Sequence, residues 1–288
     1  MNVAECPVLL LSRPLGFGLL ILSLLVPPAV SAPAETDDAV PGLRTGAADG
    51  PVRLRARYSS SVLVFKVGEV ELEAVFSPDH YEAQGTVGAA GLAALFTDFD
   101  IRAEVSGARN GEGIRPQHYA HVERTGDKVR SVTVSFEDDL ARSQAEPPFG
   151  SWGVPPASAA ERTGVLDPIT AFFALSDALS GSSDAACAGR IPVFDGKQRY
   201  DLRLEDAGTA RVRTAAWRGE ARVCEAYYEP VSGYDPEDYP SASELRHPLT
   251  IWLAAFPEAG IHLPVRLHTR AGFGGVTVEA RDIVLDRP

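Results

Sequence analysis

Apolar and charged residues alternate one by one along several stretches of this chain. In the first of them, Val52, Leu54, Ala56 and Tyr58 are separated by three arginines. Successive side chains of a β-strand point to opposite faces, so this spacing is typical of a strand with one buried face. The same alternation recurs at 70–76, 132–136, 200–204, 263–267 and 276–280.

Short turns separate these stretches, and most of them have no helical pattern between them. This arrangement favours antiparallel meanders over a parallel sheet with crossover helices. The alternation changes phase before Ile283, which indicates a β-bulge at about Arg281. We therefore predict a mainly β protein, an antiparallel curved sheet or open barrel. A two-sheet sandwich would give the same one-sided alternation.

Two segments have apolar residues at helical spacing instead. Leu92, Leu95, Phe96 and Phe99 form a short apolar face. Asp167-Pro168 is a typical helix start, an N-cap followed by proline at the first helical position. The apolar positions after it are Ile169, Phe172, Phe173 and Leu179. We expect one or two short helices packed in the concave side of the sheet.

The N-terminal 32 residues have the organisation of a secretory signal peptide. Arg13 precedes a short apolar run, and the small residues Val30 and Ala32 stand at the positions that signal cleavage requires. The run is too short and too rich in glycine and proline for a typical membrane span of about 20 residues, although an uncleaved anchor is the alternative. We expect a signal peptide at 1–32, a flexible lead-in at 33–51 and a single periplasmic domain at 52–288.

The charge of the exported chain argues against one class of partner, and its cysteines predict a disulfide. The formal net charge is -12 and the pI about 5.0, which argues against binding nucleic acid. No second stretch approaches membrane length, so no span is expected after signal cleavage. Cys187 and Cys224 remain once the signal is removed, and in an oxidising compartment they predict a disulfide. A redox pair or two thiolate metal ligands are the alternatives.

Several blocks in the second half of the chain resemble a known family. They are "GVLDPITAFFAL", Cys187, "PVFDGKQRYDLRL", Cys224, "HPLTIWLA" and "LPVRLHTR", in that order. Together they resemble the exported bacterial family called domain of unknown function 3108, from about Tyr58 to Leu285. That resemblance implies no catalytic residues. More loosely, such proteins are similar to the periplasmic lipoprotein carrier LolA, which implies a curved sheet whose hollow receives acyl chains.

The apolar helix faces are the candidate ligand site. They would line a hollow for an acyl chain, unless they are simply core, which is what such stripes usually form. The residues proposed for this hollow are Leu92, Leu95, Phe96, Phe172, Phe173, Leu175 and Leu179.

Motifs for catalysis or metal binding are weak, so we expect no enzyme, no metal and no cofactor. His118 and His121 point to opposite faces if the segment is a strand, and we interpret them as solvent-facing. Asp195-Gly196 is more typical of a hairpin turn than of a general base. The sequence has no Gly-x-Ser-x-Gly nucleophile motif.

The function predicted from these features is binding of an apolar or amphipathic envelope component in support of envelope integrity. The ligand would be a lipid, a lipoprotein segment or a glycolipid. One alternative is a scaffold that binds an envelope protein partner through the proline-rich loop 147–156, with its Phe149 and Trp152. A less favoured alternative is a hydrolase acting on envelope polymers.

Overall fold

The computed structural model describes residues 50–110, 113–177, 187–257, 261–271 and 274–287. The predicted signal peptide and almost all of the lead-in lie outside these residues. Within them the chain forms thirteen strands, two α-helices and a 3-10 turn at Ala93–Leu95. The strands are β1 Val52–Val62, β2 Phe65–Phe76, β3 His80–Ala89, β4 Phe99–Asn110, β5 Gly113–Thr125, β6 Lys128–Glu137, β7 Leu140–Glu146, β8 Gly189–Phe194, β9 Arg199–Arg213, β10 Arg218–Ser232, β11 Leu249–Phe256, β12 Ile261–Ala271 and β13 Gly274–Asp286, and the helices are α1 Pro168–Asp177 and α2 Ala242–Leu245.

All thirteen strands belong to one antiparallel, nearly closed barrel-like sheet. Its order is β7-β6-β5-β4-β3-β2-β1-β13-β12-β11-β10-β9-β8. Every strand therefore pairs with its neighbour in sequence, except across the α1 connection, and β1 also pairs with β13. This confirms the mainly β, antiparallel prediction. The two edge strands of the sheet are β7 and β8, and we call the gap between them the seam.

The seam between the two edge strands is bridged by the segment that leads into α1. On one side, the Ala141 amide donates to the Arg162 carbonyl (2.9 Å), and Gly164 donates to Asp139 (2.8 Å). On the other side, Leu166 exchanges two hydrogen bonds of 2.8 Å with β8, donating to Pro192 and accepting from Phe194. The wall of the barrel is thus completed by a connecting segment rather than by a direct β7–β8 ladder.

The predicted alternation is present in the strands. Val52, Leu54, Ala56 and Tyr58 are buried, whereas the arginines between them are exposed. The predicted bulge is also present: Arg57 pairs with Asp282 and Tyr58 pairs with Ala280, so Arg281 has no partner on β1. A bulge of this kind bends the strand and strengthens its local twist.

Helix α1 lies in the concave side of the sheet, as predicted. It contacts β4, β5, β8 and β12, which are spread around the barrel. The segment around Leu92 behaves differently from the prediction: it contains only the 3-10 turn, and none of the turn residues is buried. A backbone hydrogen bond from the Leu92 amide to the Lys66 carbonyl (3.0 Å) holds this segment against the β1–β2 turn, outside the barrel.

The two cysteines form the predicted disulfide. Cys187 and Cys224 are fully buried, and their Cα atoms lie 5.5 Å apart, within the usual range for a disulfide. The bridge joins the start of the β8 region to the middle of β10. It lies in a cluster of buried residues that also contains Leu175 of α1.

Candidate functional site

The start of α1 is fixed to the barrel wall by buried hydrogen bonds. Asp167 Oδ1 accepts from the amides of Ile169 (2.9 Å) and Thr170 (3.0 Å), which makes Asp167 the N-cap predicted from the sequence. The Thr170 hydroxyl donates to Asp167 Oδ2. On its other side, Thr170 Oγ1 lies 2.6 Å from the Tyr81 hydroxyl of β3. Asp167, Thr170 and Tyr81 are all fully buried, so the chain of contacts is shielded from water.

The three predicted residues of α1 that the structure describes point into the core. Phe173 is 4 % exposed and packs edge-on against Phe76, with ring centroids 5.0 Å apart. Phe172 is partly buried near Tyr58, and Leu175 is buried beside the disulfide. In this arrangement the side chains fill the concavity rather than line an open hollow. Leu179 lies outside the described residues.

The other three predicted residues do not join them. Leu92, Leu95 and Phe96 are exposed at one end of the barrel. They adjoin the β1–β2 turn, because the Leu92 amide donates to the Lys66 carbonyl (3.0 Å). Gly91 makes this approach possible: its φ is +58°, and a Cβ there would lie only 2.5 Å from the Lys66 carbonyl oxygen.

The two adjoining segments form an exposed apolar surface, which we call the apolar rim. The turn contributes three large side chains that the sequence did not single out. All six members of the rim are between 46 % and 86 % exposed: Leu63, Val64, Phe65, Leu92, Leu95 and Phe96. Several exposed apolar side chains close together on a protein surface are typical of interaction sites.

The proline-rich loop is held against the seam. Phe149 packs edge-on to Trp152 (5.1 Å between centroids) and lies beside the Arg130 guanidinium, 4.8 Å from its ring. The Val154 amide donates to the Tyr234 carbonyl (2.8 Å), which attaches the loop to the region after β10. Strand β7 ends at Glu146, directly before this loop. Trp152 and Val154 remain 40 % and 71 % exposed.

His118 and His121, the two histidines considered for a metal site, differ in burial. Strand β5 places them on opposite faces, as predicted, and His118 is exposed. The prediction of a solvent-facing His121 is wrong, because this residue lies on the inner face opposite Val132. Burial lowers the pKa of His121 to about 4, and its Nδ1 is buried without a hydrogen bond. Among the described residues, no group of three His, Cys, Asp or Glu side chains is arranged to hold a metal ion.

Asp195 forms a turn, as predicted. Its Oδ1 accepts from the amides of Lys197 (2.8 Å) and Gln198 (2.7 Å). The Asp195 amide donates to the Gln198 carbonyl, so the two central residues of the turn are Gly196 and Lys197. Gly196 has a φ of +109°, which favours glycine.

The carboxyl groups of Asp167 and Asp195 have raised pKa values. Burial disfavours the charged form and raises the pKa of Asp167 to about 6, although hydrogen bonds from Thr170 and Ile169 oppose the change. Burial likewise raises the pKa of Asp195 to about 6, opposed by the Lys197 and Gln198 amides. Because both acids support local backbone structure, we interpret them as structural groups.

The raised pKa of Asp167 makes a testable contribution to stability. The folded state retains this proton up to about pH 6, whereas the unfolded chain releases it near 3.8. Its stabilisation is therefore complete below about pH 4 and is lost as the pH rises to 6, a change of about 2–3 kcal/mol. Asp167→Asn keeps a good N-cap without titrating. We expect the variant to match the wild type at pH 4 and to exceed its unfolding free energy at pH 7.5 by about that amount.

Urea denaturation at the two pH values checks this expectation. Asp195 titrates in the same range, so the difference between variant and wild type isolates Asp167. If the unfolding free energies of Asp167→Asn and the wild type differ by the same amount at both pH values, the raised pKa of Asp167 is contradicted.

The fold and the site define a class of protein: a barrel-like antiparallel sheet that holds one helix inside and exposes an apolar rim at one end. The chain belongs to the family described as "Protein of unknown function (DUF3108)", whose model matches residues 55–281. Curated proteins offer no match in sequence.

Among solved structures, the chain is similar to a beta-barrel-like protein of domain of unknown function DUF1849 from Brucella abortus. The two share 9% sequence identity with a TM-score of 0.51, over 83% of this chain and 98% of the other. At this identity, the likeness shows the fold alone. In the described part of this chain, no helix combines the length and apolar character needed to cross a bilayer.

Proposed function

We propose that this protein is exported to the periplasm and binds an amphipathic envelope component without catalysing a reaction. The ligand class is a lipid, a lipoprotein acyl segment or a glycolipid. The apolar rim is the observation that carries this proposal. Its six large exposed side chains come from two segments that a backbone hydrogen bond holds next to each other.

The rim suits this role better than the interior. The concave side is occupied by Phe173 and Leu175, which are both 4 % exposed, so an acyl chain would have to displace α1 to enter. At the rim, the apolar side chains are already in water, and covering each one stabilises the complex by roughly 1.5–3 kcal/mol at full burial. The N-terminal signal pattern supports export to the compartment where such ligands occur.

Removal of apolar side chains from the rim tests the proposal. The double variant Leu95→Ser/Phe96→Ser should bind vesicles of phosphatidylethanolamine and phosphatidylglycerol at least about tenfold more weakly than the wild type. The measurement is vesicle flotation with protein recovered from the periplasm. The N-terminal residue of this processed protein is expected to be Pro33. Thermal stability should change little, because both side chains are more than 70 % exposed.

Val154→Ser is the matched control, since Val154 is 71 % exposed but belongs to the proline-rich loop. It should bind vesicles as the wild type does. Equal binding by the rim variant and the control would show that the rim is not the contact surface. Loss of binding in the Val154 variant alone would favour the loop instead.

A further inference from the structure

A polar groove of about 510 Å³ runs along the outer face of the sheet, across β2, β1 and β13. Val64 of the apolar rim forms part of its lining, so the groove opens directly onto the rim. The remainder of the lining is mainly serine and charged side chains. The serines are Ser59, Ser60 and Ser61, and the charges are three cations and three carboxylates.

Four of the six charges in the groove already have partners. Lys66 pairs with Glu69 inside the groove. Arg57 lies 3.5 Å from Asp282, and Glu279 lies 2.6 Å from Arg266.

The two charged groove residues that remain are one carboxylate, Glu71, and one cation, Arg281. Glu71 and Arg281 are exposed, and neither makes an ion pair or side-chain hydrogen bond with the described residues. Glu71 is the β2 partner of Arg57, whereas Arg281 is the bulged residue of β13 on the other side of β1. They are therefore two strand spacings apart, about 10 Å between backbones.

From this arrangement we infer that the groove binds the zwitterionic headgroup of a phospholipid whose amine carries hydrogens. The acyl chains then extend along β1 to the apolar rim, which begins six residues beyond Arg57 at Leu63, about 20 Å away. The inference rests on the proposed function. The phosphate is placed at Arg281, whose guanidinium suits phosphate oxygens, with Arg57 nearby. The ammonium group donates to the Glu71 carboxylate across the groove. Ser59, which pairs with Glu69 and Glu279, adds a hydroxyl group at the next outward position of β1 in the groove.

The pattern of charge also selects against simpler ligands. A purely anionic headgroup can pair with Arg281, but it leaves Glu71 without a partner and brings a like charge close to that carboxylate. A quaternary amine has no hydrogen to donate to Glu71 and makes the weaker contact. We therefore expect phosphatidylethanolamine to bind better than phosphatidylcholine, and phosphatidylcholine better than phosphatidylglycerol.

Single substitutions in the groove test the assignment. Glu71→Gln and Arg281→Gln should each weaken flotation with phosphatidylethanolamine vesicles by roughly fivefold, the effect of one exposed charged contact. Both should leave binding to uncharged maltoside micelles unchanged, because the rim is intact. Glu73→Gln is the matched control: Glu73 is the next outward residue on β2 but accepts from Gln84 (3.0 Å), outside the groove.

The outcomes separate the groove from the rim. Equal binding by the Glu71, Glu73 and wild-type proteins would overturn the headgroup site, as would a stronger preference for phosphatidylglycerol. If the wild type binds neither vesicles nor micelles, the proposed function fails. Calorimetry with soluble phosphoethanolamine still tests the groove in that case: Glu71-dependent binding would support a site for a soluble zwitterion and overturn the lipid assignment, and no heat would overturn the site itself.

Discussion

Phe173→Ala will lower the free energy of unfolding by about 3–5 kcal/mol, the usual cost of truncating a buried phenylalanine. Phe173 is 4 % exposed and packs edge-on against Phe76 of the wall. Removing the ring leaves a cavity between helix and sheet in the middle of the larger core cluster. Urea unfolding followed by tryptophan fluorescence measures the loss.

Phe65→Ala is the matched control, because Phe65 is 56 % exposed on the apolar rim. It should change stability by less than about 0.5 kcal/mol. If both substitutions cost the same small amount, α1 would not be part of the core, and an interior ligand site would become the better interpretation.

The second large effect concerns the disulfide. Cys187→Ala/Cys224→Ala should lower stability by about 4 kcal/mol, because the bridge closes a loop between residues 37 apart and restricts the unfolded chain. Urea unfolding with and without a reducing agent gives the comparison. Reduction should destabilise the wild type to the level of the variant and leave the variant unchanged.

A variant as stable as the oxidised wild type would contradict a structural bridge. A redox role predicts a different result, since reducing agents would then convert the native protein under mild conditions without unfolding it. Both sulfur atoms belong to fully buried residues, which argues for the structural role.

Much of the sheet is predictable from the sequence because its strands bury one face. Arginines and buried residues alternate so regularly in β1 that its buried face follows directly. Strand β4 is harder to predict, because its sequence contains Gly107 where a side chain would be expected. The structure explains that glycine: a Cβ there would lie 2.2 Å from the Arg115 carbonyl oxygen. Such close contacts depend on the neighbouring strand and leave no local pattern.

The candidate site was only partly predictable, for a similar reason. Leu92, Leu95 and Phe96 have the spacing of a helical face, so the sequence suggested an inward-facing helix. Their position depends instead on the backbone contact between Gly91 and Lys66, which keeps the segment outside. The polar groove depends on β1 lying between β2 and β13, and β13 is more than 200 residues away in sequence. No local motif could have indicated it.

The segment that completes the barrel wall continues without interruption into α1. Leu166 is hydrogen-bonded to β8, Asp167 caps the helix, and Thr170 contacts Tyr81 on the far wall. Any movement of α1 out of the interior therefore pulls on the same few residues that join β7 to β8. Because the same residues join wall and helix, we expect the two to open together as one cooperative unit. One continuous stretch of chain therefore both closes the barrel wall and places the helix that occupies its interior.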